Sequence, residues 1–503
     1  MFTDSFTTAV RRRAVLVTGM LIISLAACSS SAATTPTISK NPIATSPNAQ
    51  GNSPQITWKI CGKFECGTLD VPYDYDAPDI GTFSLHLLRR TADEPGQRIG
   101  SLLVNPGGPG FGGSSVAENA EYYLSQTLLA NFDIIGWDPR GTGSSTPRVD
   151  CIDSYDEYFA ADNTPNNQAD IDQVLALTKK FVDECKTRSG KILPYISTQA
   201  TAHDMDTIRA ALGEKKISYF GFSYGSELGA TWATMFPDTV RAAVLDGASD
   251  PTADAIQGAL QQAAGFEKAL NTFLKKCAAN KKCLFYNNAN PSAALDKLIS
   301  GLDDNPLVVS ADRAPVNQTV AYTAIAEAMY SDSMWPNLER ALSDAQKGKG
   351  AGLLSLNDQY FQRNSDGTYG NELEAFIAIS CLDEPGPLTV AEIDATNDQF
   401  LAVAPRLGPS FIHSYTCMFW PAPQATHVVI TGKGAGPIVV IGTSGDAATP
   451  IESSRSMAKA LEGGIFLQAT ADQHTGYGSN ACVVDPIDTY LITLEPPSNN
   501  LTC

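Results

Sequence analysis

The sequence predicts an α/β fold: a mostly parallel central sheet covered by helices, with a helical cap inserted before its last strands. Three observations predict it. Short apolar runs recur along the chain, helix-forming stretches separate them, and this alternation stops over a long middle segment. Wholly apolar strands are what a parallel sheet buried on both faces requires. Strands are expected at 83–88, 101–104, 132–137 (FDIIGW), 217–221, 240–246 (VRAAVLD), 438–442 (IVVIG) and 465–468. Helical patterns occupy 204–212 and 227–235 among others. From about 251 to 430, Ile256, Leu260, Ala263, Phe266, Leu270, Phe273 and Leu274 recur at spacings of three and four, and 321–345 also looks helical. The core is therefore expected in two pieces, 55–250 and 431–503, around a helical cap at 251–430.

Composition narrows the function. The 503 residues are 43% apolar and 18% charged, as in a globular enzyme, and are enough for one large core with an insertion. A formal net charge of −19 repels polyanions, so no nucleic-acid partner is expected. Arg11, Arg12 and Arg13 precede a 14-residue apolar run, 14–27, too short for a comfortable membrane span of roughly 20 residues. The run ends in Leu25-Ala26-Ala27-Cys28, which resembles a bacterial lipobox. That resemblance implies removal of 1–27 and a lipid on the Cys28 thiol as the only membrane attachment. A plain signal peptide cut nearby is the alternative, and either one exports the chain. Residues 28–54 are Ser, Thr, Ala, Pro and Asn-rich, too polar to offset their ordering entropy, and read as a flexible tether.

Of 11 cysteines, ten remain after Cys28: Cys61, Cys66, Cys151, Cys185, Cys277, Cys283, Cys381, Cys417, Cys482 and Cys503. An even number in an exported chain points to disulfides. Sequential pairing would close five modest loops, but the connectivity stays open. With no C-x2-C pair and only five histidines, zinc is not expected. The protein is expected to be a monomer.

Chemistry enters at Gly221-Phe222-Ser223-Tyr224-Gly225. G-x-S-x-G is a common pattern, and a plain Gly-rich connection would also produce it. Here an apolar strand runs into it and a helix-forming segment leaves it, which is the setting of a serine nucleophile on a strained strand-to-helix turn in an α/β-hydrolase fold. A serine hydroxyl needs a base to take its proton and an acid to orient that base. In such a fold the chain order is serine, acid, histidine. Asp446 follows one late strand and His474 the next, which fits. His86 lies inside a strand, His203 precedes the serine, and His413 and His427 precede Asp446. Taken singly, Asp446 also reads as a turn aspartate before Pro450 and His474 as a loop histidine; their order joins them.

Asn105-Pro106-Gly107-Gly108-Pro109-Gly110 follows the strand SLLV, where glycines would let backbone amides reach a substrate oxyanion. Gly107 or Gly108 is expected to supply one donor and the Tyr224 amide the other. Pro109 has no N–H to give. Residues 108–113 also satisfy G-x-G-x-x-G, but Gly112-Gly113-Ser114-Ser115 is a poor start for the helix a dinucleotide site needs, and no cofactor is expected.

With these motifs in hand, the chain resembles the tripeptidyl-aminopeptidase and proline-iminopeptidase-like α/β-hydrolases that actinobacteria secrete or anchor as lipoproteins. The resemblance runs from about Cys61 to Cys503. It is carried by 69–75 (LDVPYDY), Trp137-Asp138-Pro139-Arg140-Gly141, Ser223-Tyr224-Gly225, Leu245-Asp246-Gly247, Cys381-Leu382-Asp383, Gly445-Asp446-Ala447-Ala448-Thr449-Pro450 and the closing cysteines. It implies an exopeptidase that releases short peptides from free N-termini. Asn105 stands where proline iminopeptidases carry histidine, which fits the tripeptidyl group better. An esterase with the same three residues is the alternative, and a binding lipoprotein without activity a further one. An exopeptidase needs an acidic group for the substrate's ammonium. Glu227 and Asp383 are the foremost candidates, with Asp250 and Glu384 behind them; each also reads as an ordinary solvated carboxylate.

Overall fold

The computed structural model describes residues 55–383, 389–412 and 414–503. The leader, Cys28, the tether, Glu384 and His413 lie outside the described residues. One ten-stranded sheet organises the chain: β1 (Thr57–Cys61), β2 (Phe64–Pro72), β3 (Thr82–Arg90), β4 (Gly100–Asn105), β5 (Phe132–Asp138), β6 (Ile217–Phe222), β7 (Val240–Asp246), β8 (Ile438–Thr443), β9 (Gly464–Ala469) and β10 (Leu501–Thr502). Their order across the sheet is β1-β2-β3-β5-β4-β6-β7-β8-β9-β10. The first three strands and the β3–β5 pair are antiparallel, and all pairs from β5 to β10 are parallel.

All seven expected strands form, within two residues of their expected ends. β1, β2 and β10 were not expected. β1 lies at the sheet's edge with most of its residues exposed, and β2 alternates Leu69 and Val71 inward with Asp70 outward. Neither has the unbroken apolar run by which a strand buried on both faces is recognised.

The central strands are buried on both faces because successive residues point to opposite sides. Leu103, Ile135, Tyr219, Leu245 and Val440 belong to one core. Leu102, Ile134, Phe220, Val244 and Ile441 belong to the other. Two of the quoted motifs meet here. Arg140 is fully buried, donates to both Asp204 oxygens (2.5 and 2.7 Å), and also donates to the Pro72 and Tyr73 carbonyls. Removing either member of such a buried pair would strand a charge.

Between β7 and β8 every described element is helical, including Ala255–Ala279, Gln318–Met329, Trp335–Ala345, Ala351–Tyr360 and Glu372–Asp383. The helical run expected at 321–345 is two helices. Ser331 turns extended (φ −159°, ψ 138°) and bridges to Gln473, and Pro336 opens the second helix. Another departure lies at Ser114–Glu118, where a short helix does start after the glycines. The Asp138 carboxylate accepts from the Ser114 N–H (3.2 Å) and hydroxyl (2.6 Å), which anchors its first residue. The ten cysteines pair in sequential order: Cys61–Cys66, Cys151–Cys185, Cys277–Cys283, Cys381–Cys417 and Cys482–Cys503. Five disulfides suit an oxidising compartment and so an exported chain. No helix among the described residues is long and apolar enough to cross a membrane.

Candidate active site

Ser223 stands between the end of β6 and the helix Tyr224–Met235, at φ 55° and ψ −128°. A side chain rarely adopts that backbone, and it holds here because the surroundings fix it. The Ser223 N–H donates to the Asp246 carbonyl (2.8 Å), and the Ser226 N–H to the Ser223 carbonyl (2.8 Å). The turn thus hangs from β7, the neighbouring strand.

Asp446 and His474 come together from the loops after β8 and β9. His474 Nδ1 lies 2.9 Å from both Asp446 oxygens. A carboxylate only accepts, so Nδ1 carries the proton and Nε2 is left as the acceptor. Nε2 is buried with no hydrogen-bond partner among the described residues. The Asp446 carboxylate is itself held by the amides of Ala448 (2.9 Å) and Thr449 (2.8 Å) and by the Thr449 hydroxyl (3.0 Å). Burial pushes the His474 pKa down, but the charge and hydrogen bond of Asp446, helped by the charge of Asp246, outweigh it and the pKa is raised.

The Gly-rich loop splits its two candidate donors. The Gly107 N–H donates to Asn105 Oδ1 (2.9 Å) and is occupied. Gly108 and Tyr224 line the same cavity as Ser223. The helix Glu372–Asp383 presses on this loop: a Cβ at Gly110 would lie 2.4 Å from the Glu372 carbonyl oxygen, so only glycine fits.

That helix also brings Asp383 to the cavity, which has a volume of ≈ 590 Å³ and lies within the size range of small-ligand pockets. Glu227 lines it from the helix that starts at Ser223, one turn or about 6 Å further along. Asp383 accepts from the Thr198 N–H (3.1 Å) and hydroxyl (2.6 Å), and that hydroxyl also meets the Tyr224 hydroxyl. Glu227 accepts from Ser249 Oγ (3.2 Å). Burial, with the charge of Glu227 adding to it against the Thr198 hydrogen bonds, pushes Asp383 up to about 7. Burial raises Glu227 too, against the Ser249 hydrogen bond and the charge of His427. Asp250 also lines the cavity but already accepts from Ser456 (2.5 Å), Thr252 (2.8 Å) and Gln261 (3.2 Å). Four carboxylates line the cavity (Glu227, Asp250, Asp254, Asp383), and among its described lining residues there is neither lysine nor arginine.

Sequence reasoning missed Thr198, Thr449, Asp246 and Tyr330. Asp246 and Thr449 left a signal, since each stands in a motif quoted above (Leu245-Asp246-Gly247 and Gly445 to Pro450), though no role was read for either. Thr198 and Tyr330 act through folds of the chain that no local pattern encodes.

Comparison with known proteins identifies the family. The model of the alpha/beta hydrolase fold family matches residues 100–477. The chain is 34% identical over 475 residues to the serine protease Hip1 of Mycobacterium tuberculosis, covering 90% of this chain and 89% of that protein. It is 35% identical over 482 residues to carboxylesterase B of Mycobacterium tuberculosis, covering 91% of each. It is 32% identical over 468 residues to the tripeptidyl aminopeptidase of Streptomyces lividans, covering 89% of this chain and 84% of that protein.

Proposed function

Because the chain belongs to the alpha/beta hydrolase fold family and is a serine hydrolase, we propose that it is an exopeptidase releasing short peptides, tripeptides among them, from free N-termini. The observation that carries this reading is the acidic cavity beside Ser223, with its four carboxylates and no lysine or arginine among the described lining residues. Two of them, Asp383 and Glu227, are desolvated there, which disfavours their charge, and a substrate ammonium would offset that cost. Asp383 and Glu227 are the groups proposed to hold it.

In the proposed mechanism Ser223 Oγ attacks the scissile carbonyl while His474 Nε2 takes its proton. Asp446 keeps the imidazole in the right tautomer and stabilises the imidazolium. The amides of Gly108 and Tyr224 receive the oxyanion, Gly107 being engaged by Asn105. His474 then returns the proton to the leaving amine, and water releases the acyl peptide by the same route. Removal of 1–27 and lipid attachment at Cys28 would place the enzyme on the outer face of the membrane; Cys28→Ala should release it to the medium.

The test is hydrolysis of Ala-Ala-Pro-anilide with a free and with a blocked amino terminus, by the wild type and by Ser223→Ala. Cleavage of the free form alone, lost in the variant, supports the exopeptidase. If neither form is cut while p-nitrophenyl butyrate is, the enzyme is an esterase.

A further inference from the structure

We propose that Asp246 is a positioning residue of the hydrolytic reaction, tying the strand end that holds the nucleophile to the loop that carries the base. This rests on the proposed roles of Ser223 and His474. Asp246 is the last residue of β7 and is fully buried. Its backbone carbonyl accepts the Ser223 N–H (2.8 Å). Its side chain reaches the other way: Oδ1 accepts the Gly476 N–H (2.7 Å) and Oδ2 the Tyr477 N–H (2.7 Å). One residue therefore fixes the backbone of the serine and the backbone two and three positions past the histidine. The next residue confirms how near the imidazole lies. A Cβ at Gly247 would sit 3.1 Å from His474 Cε1, closer than ordinary contact, and its φ of 70° favours glycine.

The charge is the second part of the argument. The groups that face the Asp246 carboxylate are the two amides, His474 and a second carboxylate, Asp446; Tyr477 turns its hydroxyl to Asp488 instead (2.6 Å). A buried anion beside another anion is costly, and two loop amides alone do not require one, since a neutral carbonyl would serve. A negative charge below His474 does have a use. It favours the imidazolium that forms as Ser223 loses its proton, and so supplements Asp446 from a second direction. Each oxygen accepts one N–H bond, and protonation would weaken the acceptor at the oxygen that takes the proton and loosen the loop behind His474. Burial pushes the carboxyl up to about 7, against its two amide bonds and His474. The charge beside His474 is therefore lost as pH falls through about 7.

The experiment is Asp246→Asn, which keeps the volume and one acceptor but removes the charge. Turnover and the rate of fluorophosphonate labelling are followed against pH. The expected result is a fall in kcat of at least about tenfold with KM within about twofold, and an acid limb displaced to lower pH because the His474 pKa drops. A folded variant whose acid limb does not move overturns the proposal, whatever its kcat, because purely structural support would lower rate and melting temperature without shifting that limb. If that variant does not fold, Asp246→Glu, which keeps the charge but moves the carboxylate by one methylene, decides: kcat should fall with the acid limb near that of the wild type, and an unchanged kcat overturns the proposal. Ser223→Ala keeps the two readings apart: if it still turns over, the reading of the site fails, and if it is dead while Asp246→Asn behaves as wild type, only the role of Asp246 fails.

Discussion

His474 hangs from the helical insertion as well as from the sheet: its N–H donates to the Tyr330 carbonyl at 2.8 Å, and the two rings meet edge to face with centroids 5.5 Å apart. The contact is extended on either side by the Ser331–Gln473 bridge and by the Asp332 N–H donating to the Asp472 carbonyl (2.9 Å). The segment between two helices of the insertion is therefore a short strap on the loop of His474.

Tyr330 should accordingly matter to the rate and not only to stability. Tyr330→Ala removes a fully buried ring, a change of about 3–5 kcal/mol in stability. It should also lower kcat about tenfold as the imidazole gains freedom. Tyr330→Phe keeps ring and carbonyl and should stay near the wild type. Equal kcat in all three proteins, measured well below their melting temperatures, would show that the strap does not steady His474.

Ser223 is held at φ 55° on its turn, and the strain of that backbone can be measured. Ser223→Ala should abolish turnover with the fold intact. Ser223→Gly should be equally dead but more stable than Ser223→Ala by about 1 kcal/mol, because glycine tolerates φ 55°. Calorimetry of the two variants checks this. An alanine variant that melts at or above the glycine one would mean the turn is not strained.

The Asp383 carboxyl, pushed up to about 7 by burial with Glu227 adding to the rise, makes substrate binding depend on pH. A raised pKa means the folded state holds the proton, so this group's stabilisation is full at acid pH and is lost as pH rises through about 7. The ionised form above that pH is the one that binds an ammonium. KM for a free-amine peptide should therefore fall from pH 6 to 8, until the substrate amine, with a pKa of about 8, loses its own proton. Asp383→Asn should raise that KM by about 10–100-fold and flatten its pH dependence, leaving short p-nitrophenyl esters unaffected. An equal effect on both substrates would remove Asp383 from ammonium recognition.

Cys381–Cys417 closes a loop of 36 residues and holds the end of the helix that carries Asp383. By chain entropy its loss should cost about 4 kcal/mol, against about 2 for Cys277–Cys283, which spans 6. Replacing the first pair with serines should also raise KM for free-amine peptides, since the Ala425 N–H bonds to the Leu382 carbonyl (2.8 Å) and Ala425 lines the same cavity. Melting curves and KM for the two double variants test this. A KM unchanged in the first variant would separate the disulfide from the binding site.

What the sequence by itself determined is local or ordered along the chain. Apolar runs marked the central strands because a strand buried on both faces must be largely apolar, and the apolar positions at 83–88 marked β3. The motif at Gly221-Phe222-Ser223-Tyr224-Gly225 marked the turn because small neighbours and the following helix leave a pattern that can be read in one window. Asp446 and His474 were legible through their order and their places after two late strands. The exposed edge strands escaped, since their burial is partial and their pattern mixed. Only the tertiary structure decided that Gly107 is occupied by Asn105, that Asp383 and Glu227 line one cavity, that Asp246 bonds both the Ser223 amide and the loop after His474, and that the Tyr330 carbonyl holds the His474 amide. Each of the last three joins groups more than a hundred residues apart. No periodicity records such a pair, because the free energy that brings them together belongs to the packing of the whole sheet and its helices.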